Sequence, residues 1–442
     1  MDRALDFRIP RLGEAKIASP MRLSKVMDDF IANYVDDQAY VIYDLRCDLE
    51  EERLVRAYER PSLMEKAGPR EMVYFDPSKV CAAIVTCGGL CPGLNDVIRA
   101  LVMTLWHHYG VKNILGIRHG YHGFLPENHF PPMPLSPELV SKIHQQGGTV
   151  LGSSRGGART AAIVDALEQL NVNMLFTIGG DGTQRGALAI CQEAAQRGRV
   201  LSVVGIPKTI DNDLSFVQRS FGFETAVGRA VDAVCAAHVE ATGAVNGVGL
   251  VKVMGRESGF IAASTALASN DVNFVLVPEV PFDLEGENGF LAHLRRRLER
   301  RGHAVVLVAE GAGQHLAQAE GHDASGNRAL GDIGTFLRDR IIVDAKEKGW
   351  VANLKYIDPS YIIRGTAANP NDSIYCSRLG AHAVHAAMTG RTAMLVSLVN
   401  DVFVHIPMAL SVAQRNRIDP ESSLWRDVVI ATGQPALMVN SR

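Results

Sequence analysis

From Val80 onward, apolar runs of strand length alternate with helical patterns, and this alternation constrains the fold more than any other feature of the chain. VCAAIVT, NILGI, NMLFTI, LSVVGI, GVGLVKVM, NFVLVPE and AVVLVAE are nearly continuous hydrophobic runs. Strands of that kind are buried on both faces, as in parallel sheets covered by helices, so the expected class is α/β. With 442 residues the chain is long enough for two lobes. Hydrophobic residues at 47% and charged residues at 21% describe a globular enzyme and exclude a disordered chain.

Residues 1–78 lack this rhythm. They carry charged stretches of helical appearance such as EEERLVRAYER, broken by Pro61 and Pro69, and read as an N-terminal extension to a region spanning 79–442. The formal charge of −3 supplies no basic field for nucleic acid. RRRLERR, at 295–301, reads as a solvated helix end, with an effector phosphate site as the alternative. Seven cysteines form no regular framework, and neither a signal peptide nor a membrane span is visible, which predicts a cytoplasmic protein without a membrane partner. Cys87 and Cys91 have no second ligand pair at zinc spacing.

Three strands run into glycine-rich loops that open helices: TCGGLCPGLNDVIRALV, TIGGDGTQRGALAICQEAA and the VMGRESGF turn. In α/β sheets the carboxyl ends of strands form the binding crevice, where glycine allows close backbone approach and helix N-termini attract anions. Neither a P-loop lysine motif nor a dinucleotide GxGxxG is present.

Within GGDGT, Asp181 follows a strand and suits magnesium, which takes oxygen ligands and keeps several waters, while Thr183 and nearby N–H groups suit phosphate oxygens. The plainer reading is an Asp-Gly turn without a ligand. In GIPKTIDND, Asp211 and Asp213 share a side if the chain is extended, and a carboxylate within reach of a hydroxyl acts as a general base worth ~10² to 10⁴-fold. Thr209 offers a contact to a substrate phosphate or hydroxyl; turn capping by Asn212 and Asp213 is the alternative. LGSSRGG places Arg155 on a glycine-rich loop, where a guanidinium meets the charge of a phosphoryl group in flight; a surface ion pair is the alternative.

TCGGLCPGLN, LGSSRGG, IGGDGT, GIPKTIDND, SFGFETA, VMGRESGF, AEGAGQ and KYIDPSYIIR occur in order, and on these motifs the sequence resembles the phosphofructokinase family from about residue 78 to beyond 400. The likeness is to the branch with plant and trypanosomatid ATP-dependent enzymes. It implies two similar Rossmann-like lobes with mainly parallel sheets and an active site in the cleft between them. The nucleotide lobe is expected over roughly 79–210, the sugar-phosphate lobe over roughly 211–400, and a tail beyond. It also implies an allosteric glycolytic kinase, a homotetramer or dimer, that transfers phosphoryl from MgATP to the 1-hydroxyl of fructose 6-phosphate.

Carried over residue by residue, the resemblance makes Asp211 the base, Asp181 the Mg²⁺ ligand, and Gly89, Arg155, Gly156, Gly180, Asp181, Gly182 and Thr183 the nucleotide site. Arg155 and Lys208 join Asp211 as catalytic residues. Sugar phosphate falls to Thr209, Ile210, Asp211, Met254, Gly255, Arg256, Glu310, Lys355, Tyr361, Ile362, Ile363 and Arg364. Lys355 stands where many members carry an arginine reaching from a neighbouring subunit, and AVNGVG lacks a second such arginine, both departures from the common bacterial pattern.

Gly182 and Lys208 bear on the donor. Pyrophosphate-using relatives combine the lysine with an Asp at the position of Gly182; a carboxylate there would occupy the space of a nucleotide's α-phosphate and repel it. Gly182 therefore favours ATP, with Lys208 as a point charge near the transferring phosphate or Asp211, and a pyrophosphate-dependent fructose 6-phosphate 1-phosphotransferase is the alternative. A nucleoside or seven-carbon sugar phosphate stays open as acceptor. A non-catalytic sensor on this fold is disfavoured because Asp181, Asp211 and Arg155 are all present.

Overall fold

The apolar runs do become buried strands. The computed structural model describes residues 5–43, 48–50, 53–55, 63–157, 159–317, 319, 321 and 329–440. In chain order the strands of its two larger sheets are β1 (Cys81–Thr86), β2 (Asn113–Ile117), β3 (Met133–Pro134), β4 (Met174–Gly179), β5 (Ser202–Pro207), β6 (Gly247–Val253), β7 (Phe274–Leu276), β8 (His303–Ala309), β9 (Asn353–Ile357), β10 (Met394–Val399) and β11 (Val402–Pro407). The helices that matter for the site are α1 (Leu94–Met103), α2 (Asp181–Gln196), α3 (Phe223–Thr242), α4 (Phe260–Ser269), α5 (Phe290–Arg301), α6 (Ser360–Gly365) and α7 (Pro370–Met388).

The chain forms two units. The first comprises Met1–Thr209, Leu214–Phe221 and Ala367–Arg415. Its sheet has the order β11-β10-β5-β4-β1-β2-β3, parallel except where β11 and β3 pair antiparallel at the two edges. The register sets Ile178 opposite Thr86 and Gly179 opposite Pro207, so β1, β4 and β5 end level with one another. The chain runs from β1 outward to β2 on one side and lays β4 against the other, which makes the gap between β1 and β4 the point where such sheets bind ligands.

The second unit comprises Ile210–Asp213, Gly222–Thr366 and Asn416–Arg442. Its sheet is wholly parallel, in the order β7-β8-β6-β9, with Val253 opposite Ala309 at the carboxyl ends of β6 and β8. α3 and α4 pack Ala230, Val234, Ala237, Ile261 and Ala262 onto Val251, Val253, Val305 and Leu307 in one core cluster. RRRLERR forms the end of α5, with Arg300 and Arg301 exposed in its last turn, as a solvated helix end should be.

The N-terminal segment differs from its helical reading. Arg53–Val55 pairs antiparallel with Asp48–Glu50; residues 51–52 and 56–60 of EEERLVRAYER, and Pro61, lie outside the described residues. Local charge pattern suggested a helix, but strand pairing decides the conformation here. Further along, Glu65 is buried against Arg391, whose Nε donates to it at 2.8 Å, and Arg70 lies 3.5 Å from the same carboxylate. Asp37 completes the network at 2.9 Å from Arg70 and 3.1 Å from Arg391. Ala67 N–H donates to the Phe403 carbonyl at 2.7 Å, so this part of the segment docks on the β11 edge.

Burial alone would raise the Glu65 carboxyl, but His405 and Arg391 beside it outweigh that and hold it well below the ordinary carboxylate range. Burial also pushes the His405 imidazole down from 6.5 to about 4, against the opposing pull of Glu65 3.7 Å away. A proton on His405 therefore prefers the unfolded chain. The stability that neutral His405 allows is complete above about pH 6.5 and is lost as pH falls toward about 4. Thermal unfolding followed across that window should show Tm falling in the native chain, and His405→Asn should flatten the fall whatever it does to Tm at neutral pH.

Candidate active site

Thr86 ends β1, and the chain then turns on Gly88, whose φ of +86° favours glycine. Gly88 N–H donates to the Ser154 carbonyl at 2.9 Å, and Ser153 Oγ donates back to the Gly88 carbonyl at 2.6 Å, so the loops carrying CGGLC and GSSRGG are stitched together. A Cβ on Gly89 would lie 3.1 Å from the Arg155 guanidinium. Arg155 is exposed, and Gly156 beyond it has a φ of +96°. Cys87 is buried beneath this turn, and burial pushes its thiol up to about 12, which removes it as a nucleophile.

Asp181 is the first residue of α2, not part of a free turn, because Gly180 caps the helix with extended φ and ψ. Its carboxylate stands at the positive end of the helix dipole. Space around a Cβ at Gly182 is open to 4 Å, so the glycine leaves room beside the helix start. Thr183 is buried and held through its carbonyl by Tyr121 Oη at 2.8 Å. A Cβ on Gly179 would lie 2.2 Å from Thr183 Oγ1, so only glycine fits beneath it.

Lys208 follows β5. Its side chain is 7% exposed, and Nζ donates to the Gly89 carbonyl at 2.8 Å. Sequence reasoning put this ammonium near a phosphate or Asp211; the structure adds that it braces the loop after β1. Thr209 belongs to the first unit, where Ser220 Oγ donates to its carbonyl at 2.5 Å. Ile210–Asp213 belong to the second, in which Ile210 packs on the core and Ser258 Oγ donates to the Asp211 carbonyl at 3.2 Å. Asn212 has a φ of +55°, so 211–213 is not extended and the alternation that would align Asp211 with Asp213 does not apply. The Asp213 carbonyl accepts from Asn416 N–H at 2.8 Å. Asp211 and Asp213 are both half-buried.

In the second unit, Met254, Gly255 and Arg256 leave the end of β6 beside Glu310, whose N–H donates to the Val253 carbonyl at 2.9 Å. Gly255 has a φ of +128°, and a Cβ there would lie 2.5 Å from the Ser258 carbonyl. Met254 is buried; Arg256 and Glu310 are half-buried. On α6, Tyr361 and Ile362 are exposed, Ile363 is fully buried in the core, and Arg364 lies over the Tyr361 ring at 4.6 Å. Lys355 is exposed on the edge strand β9.

Sequence reasoning missed several participants. Lys252 pairs with Asp358 at 2.9 Å and Asp332 at 3.2 Å, anchoring the turn from β9 into α6. Burial would lower its ammonium, but the Asp358 hydrogen bond and the nearby charges raise it. The signal was a lone lysine inside the apolar run GVGLVKVM. Arg185 and Arg415, both paired with Asp181, were also missed. Arg185 is four residues from Asp181 on one helix and was detectable; Arg415 gave no local signal.

The site residues fit a magnesium ion in its donor chemistry. Asp181 supplies a hard carboxylate oxygen at a helix start, the kind of donor that magnesium takes.

Residues 81–387 match the family model for phosphofructokinase. The chain is 54% identical over 446 residues to an ATP-dependent 6-phosphofructokinase of Borreliella burgdorferi, covering 99% of this chain and 98% of that one. It is 44% identical to the ATP-dependent 6-phosphofructokinase of Trypanosoma cruzi, over 96% of this chain and 87% of the relative. Among solved structures, a pyrophosphate-dependent phosphofructokinase from Marinobacter aquaeolei aligns with a TM-score of 0.66 at 20% identity, covering 82% of this chain and 92% of that one, which is a likeness of fold.

Replacing the buried ammonium by an apolar chain should free the loop that it braces. Lys208→Met is expected to destabilise the first unit by roughly 1–3 kcal/mol through the unmatched Gly89 carbonyl. Amide hydrogen exchange at Gly88–Cys91 should accelerate in the variant, while exchange in β6 and β8 stays unchanged.

Proposed function

The chain belongs to the phosphofructokinase family, and we infer from this that it is an ATP-dependent 6-phosphofructokinase, a glycolytic kinase that converts fructose 6-phosphate to fructose 1,6-bisphosphate. The observation that carries this reading is near full-length identity of 54% with an ATP-dependent enzyme. Open space beside Gly182 agrees with a nucleotide donor. Lys208, the one residue that pointed to pyrophosphate, is buried and hydrogen-bonded to Gly89.

In this proposal the region of roughly 79–210 handles the donor and that of roughly 211–400 the sugar phosphate, although 214–221 and 367–400 belong to the first unit. Asp211 accepts the proton of the 1-hydroxyl as it attacks the γ-phosphoryl, and its backbone is held for this by Ser258. Arg155, exposed on its glycine-rich loop, meets the charge that spreads over the transferring oxygens. Gly89, Gly156, Gly180, Gly182 and Thr183 let the nucleotide phosphates approach the backbone. Asp181 would hold Mg²⁺, which when bound supplies neutralising charge to the donor phosphates. Lys208 acts by fixing the Gly88–Gly89 loop against the end of β5.

Arg364 and Tyr361 are suited to the 6-phosphate, and Arg256, Glu310 and Thr209 to the sugar's hydroxyls and phosphate. Ile210, Met254, Gly255, Ile362 and Ile363 shape the surroundings, Ile363 through its backbone because its side chain is in the core. Lys355, exposed on an edge strand, is free to serve a neighbouring subunit in a homotetramer or dimer. Among the described residues no helix is long and apolar enough to cross a membrane. Cys81, Cys87, Cys191, Cys235 and Cys376 carry free thiols.

Asp211→Asn should lower kcat by about 10² to 10⁴-fold with little change in either KM, measured by coupled detection of fructose 1,6-bisphosphate. An unchanged kcat would remove Asp211 as the base. With ATP and pyrophosphate compared in parallel, the native chain is expected to use ATP. Gly182→Asp should raise the KM for ATP by about ten-fold or more, since the new carboxylate faces the donor phosphates.

A further inference from the structure

A lone lysine interrupts the apolar run of β6, and two carboxylates that each stand at the start of a helix hold its ammonium. Lys252 Nζ lies 2.9 Å from Asp358 Oδ2 and 3.2 Å from Asp332 Oδ1, and the lysine side chain is only 15% exposed. Through its other oxygen Asp358 accepts from Ser360 N–H at 3.1 Å and from Ser360 Oγ at 2.5 Å, which shapes the entry to α6. Asp332 caps the helix Ile333–Glu347 by accepting from Thr335 N–H at 3.2 Å. The ladder between β6 and β9 ends with Val251 opposite Ile357, so Asp358 has already left the sheet where it meets Lys252.

On the side of Asp332 the contacts continue. Its neighbour Gly331 donates N–H to Gln314 Oε1 at 2.9 Å, and Gln314 Nε2 donates to the Gly331 carbonyl at 3.1 Å and to the Glu310 carbonyl at 2.6 Å. A polar chain therefore runs from Glu310, just past β8, through Gln314, Asp332, Lys252 and Asp358 to the helix that carries Tyr361 and Arg364. Stability alone does not account for its central lysine. The carboxylates are 51% exposed at Asp332 and 33% at Asp358, such pairs contribute little, and an apolar side chain in their place is often neutral. Drawing an ammonium into a strand flanked by Val251 and Val253 costs solvation. What the lysine adds over an apolar residue is fixed geometry between segments that the sheet no longer holds.

We propose that Lys252 is a positioning residue for the sugar phosphate: by holding Asp358 and Asp332 together it fixes α6, with Tyr361 and Arg364, against the ends of β6 and β8, and so sets the affinity for the acceptor. It touches neither substrate and acts through Asp358. The proposal rests on the reading of Arg364 as a 6-phosphate ligand.

The test is steady-state kinetics of the full chain with ATP and fructose 6-phosphate, with a thermal melt of each variant. Lys252→Met should raise the KM for fructose 6-phosphate by about ten-fold while the KM for ATP and kcat stay in place, since small misplacements of binding groups are costly. Lys252→Arg, which keeps the charge, should recover part of the loss. Asp358→Asn keeps an acceptor for Ser360 but loses the charge; it should shift the same KM, and it carries the test if Lys252→Met does not fold. Arg364→Met should raise the KM for fructose 6-phosphate by itself, and adding Lys252→Met should raise it no further, because both act through one group. A Lys252→Met chain with lowered Tm and both KM values unmoved would be the pattern of a purely structural ion pair and would overturn the proposal. So would a rise of both KM values together, or effects of Lys252→Met and Arg364→Met that simply add. If Arg364→Met alone leaves the KM for fructose 6-phosphate unchanged, the 6-phosphate reading itself fails and takes the proposal with it.

Discussion

The buried ammonium of Lys208 and the Gly89 carbonyl that accepts its hydrogen bond set the geometry of the loop after β1. An ammonium removed from water is costly unless its protons find acceptors. The loop after β1 supplies one, and so it must pass close to the end of β5 although β4 lies between the two strands. Close passage leaves little room: a Cβ at Gly88 would come within 3.2 Å of Nζ, and one at Gly89 within 3.1 Å of Arg155. At Gly88 the positive φ favours glycine, and at Gly89 any side chain would need Arg155 to give by a few tenths of an ångström. Lys208 N–H also donates to the Gly179 carbonyl at 3.0 Å, which extends the bracing to the residue before the cap of α2.

Under the proposed function each unit contributes charges of the kind that phosphoryl transfer uses, since such chemistry is mostly positioning and electrostatics. Arg155, Lys208, Arg185 and Arg415 supply positive charge at the strand ends of the first unit, with Asp181 as the acidic counterpart. In the second unit, the backbone of Glu310 is pinned to β6, and the Lys252 ion pairs fix the turn that leads to Tyr361 and Arg364. The Glu65, Arg70, Asp37 and Arg391 network ties described residues of the N-terminal segment to the C-terminal end of α7. Breaking one member of such a buried network leaves an uncompensated charge.

Much of this was legible before the structure. β1, β2, β4, β5, β6 and β8 occur within a residue or so of the apolar runs that predicted them, because a fully buried strand leaves a continuous local signal. β9 escaped notice: NLKYI mixes charge into an edge strand exposed at every second residue. The antiparallel pair β10 and β11 lies where the region of roughly 211–400 gives way to the tail, a stretch with no strong motif. The segment 50–60 misled because its charge spacing imitates a helix, while its described strand is settled by a partner hairpin strand. Asp181 and Gly182 in GGDGT, and Lys208 and Asp211 in GIPKTIDND, were singled out in motifs that follow apolar strand runs.

The main buried strands and the glycine-rich loops at their ends were determined by the sequence alone, because each is written in the spacing of a few neighbouring residues, while the class of chemistry followed from the family resemblance that the ordered motifs carry. Tertiary structure alone decided who faces whom. Lys208 meets a carbonyl 119 residues away, Arg415 meets Asp181, and Asn212 turns left-handed so that Asp211 and Asp213 part company. The physical reason is that these pairings follow from the strand order β5-β4-β1 and from the charges that burial forces together, and neither is recorded in local periodicity.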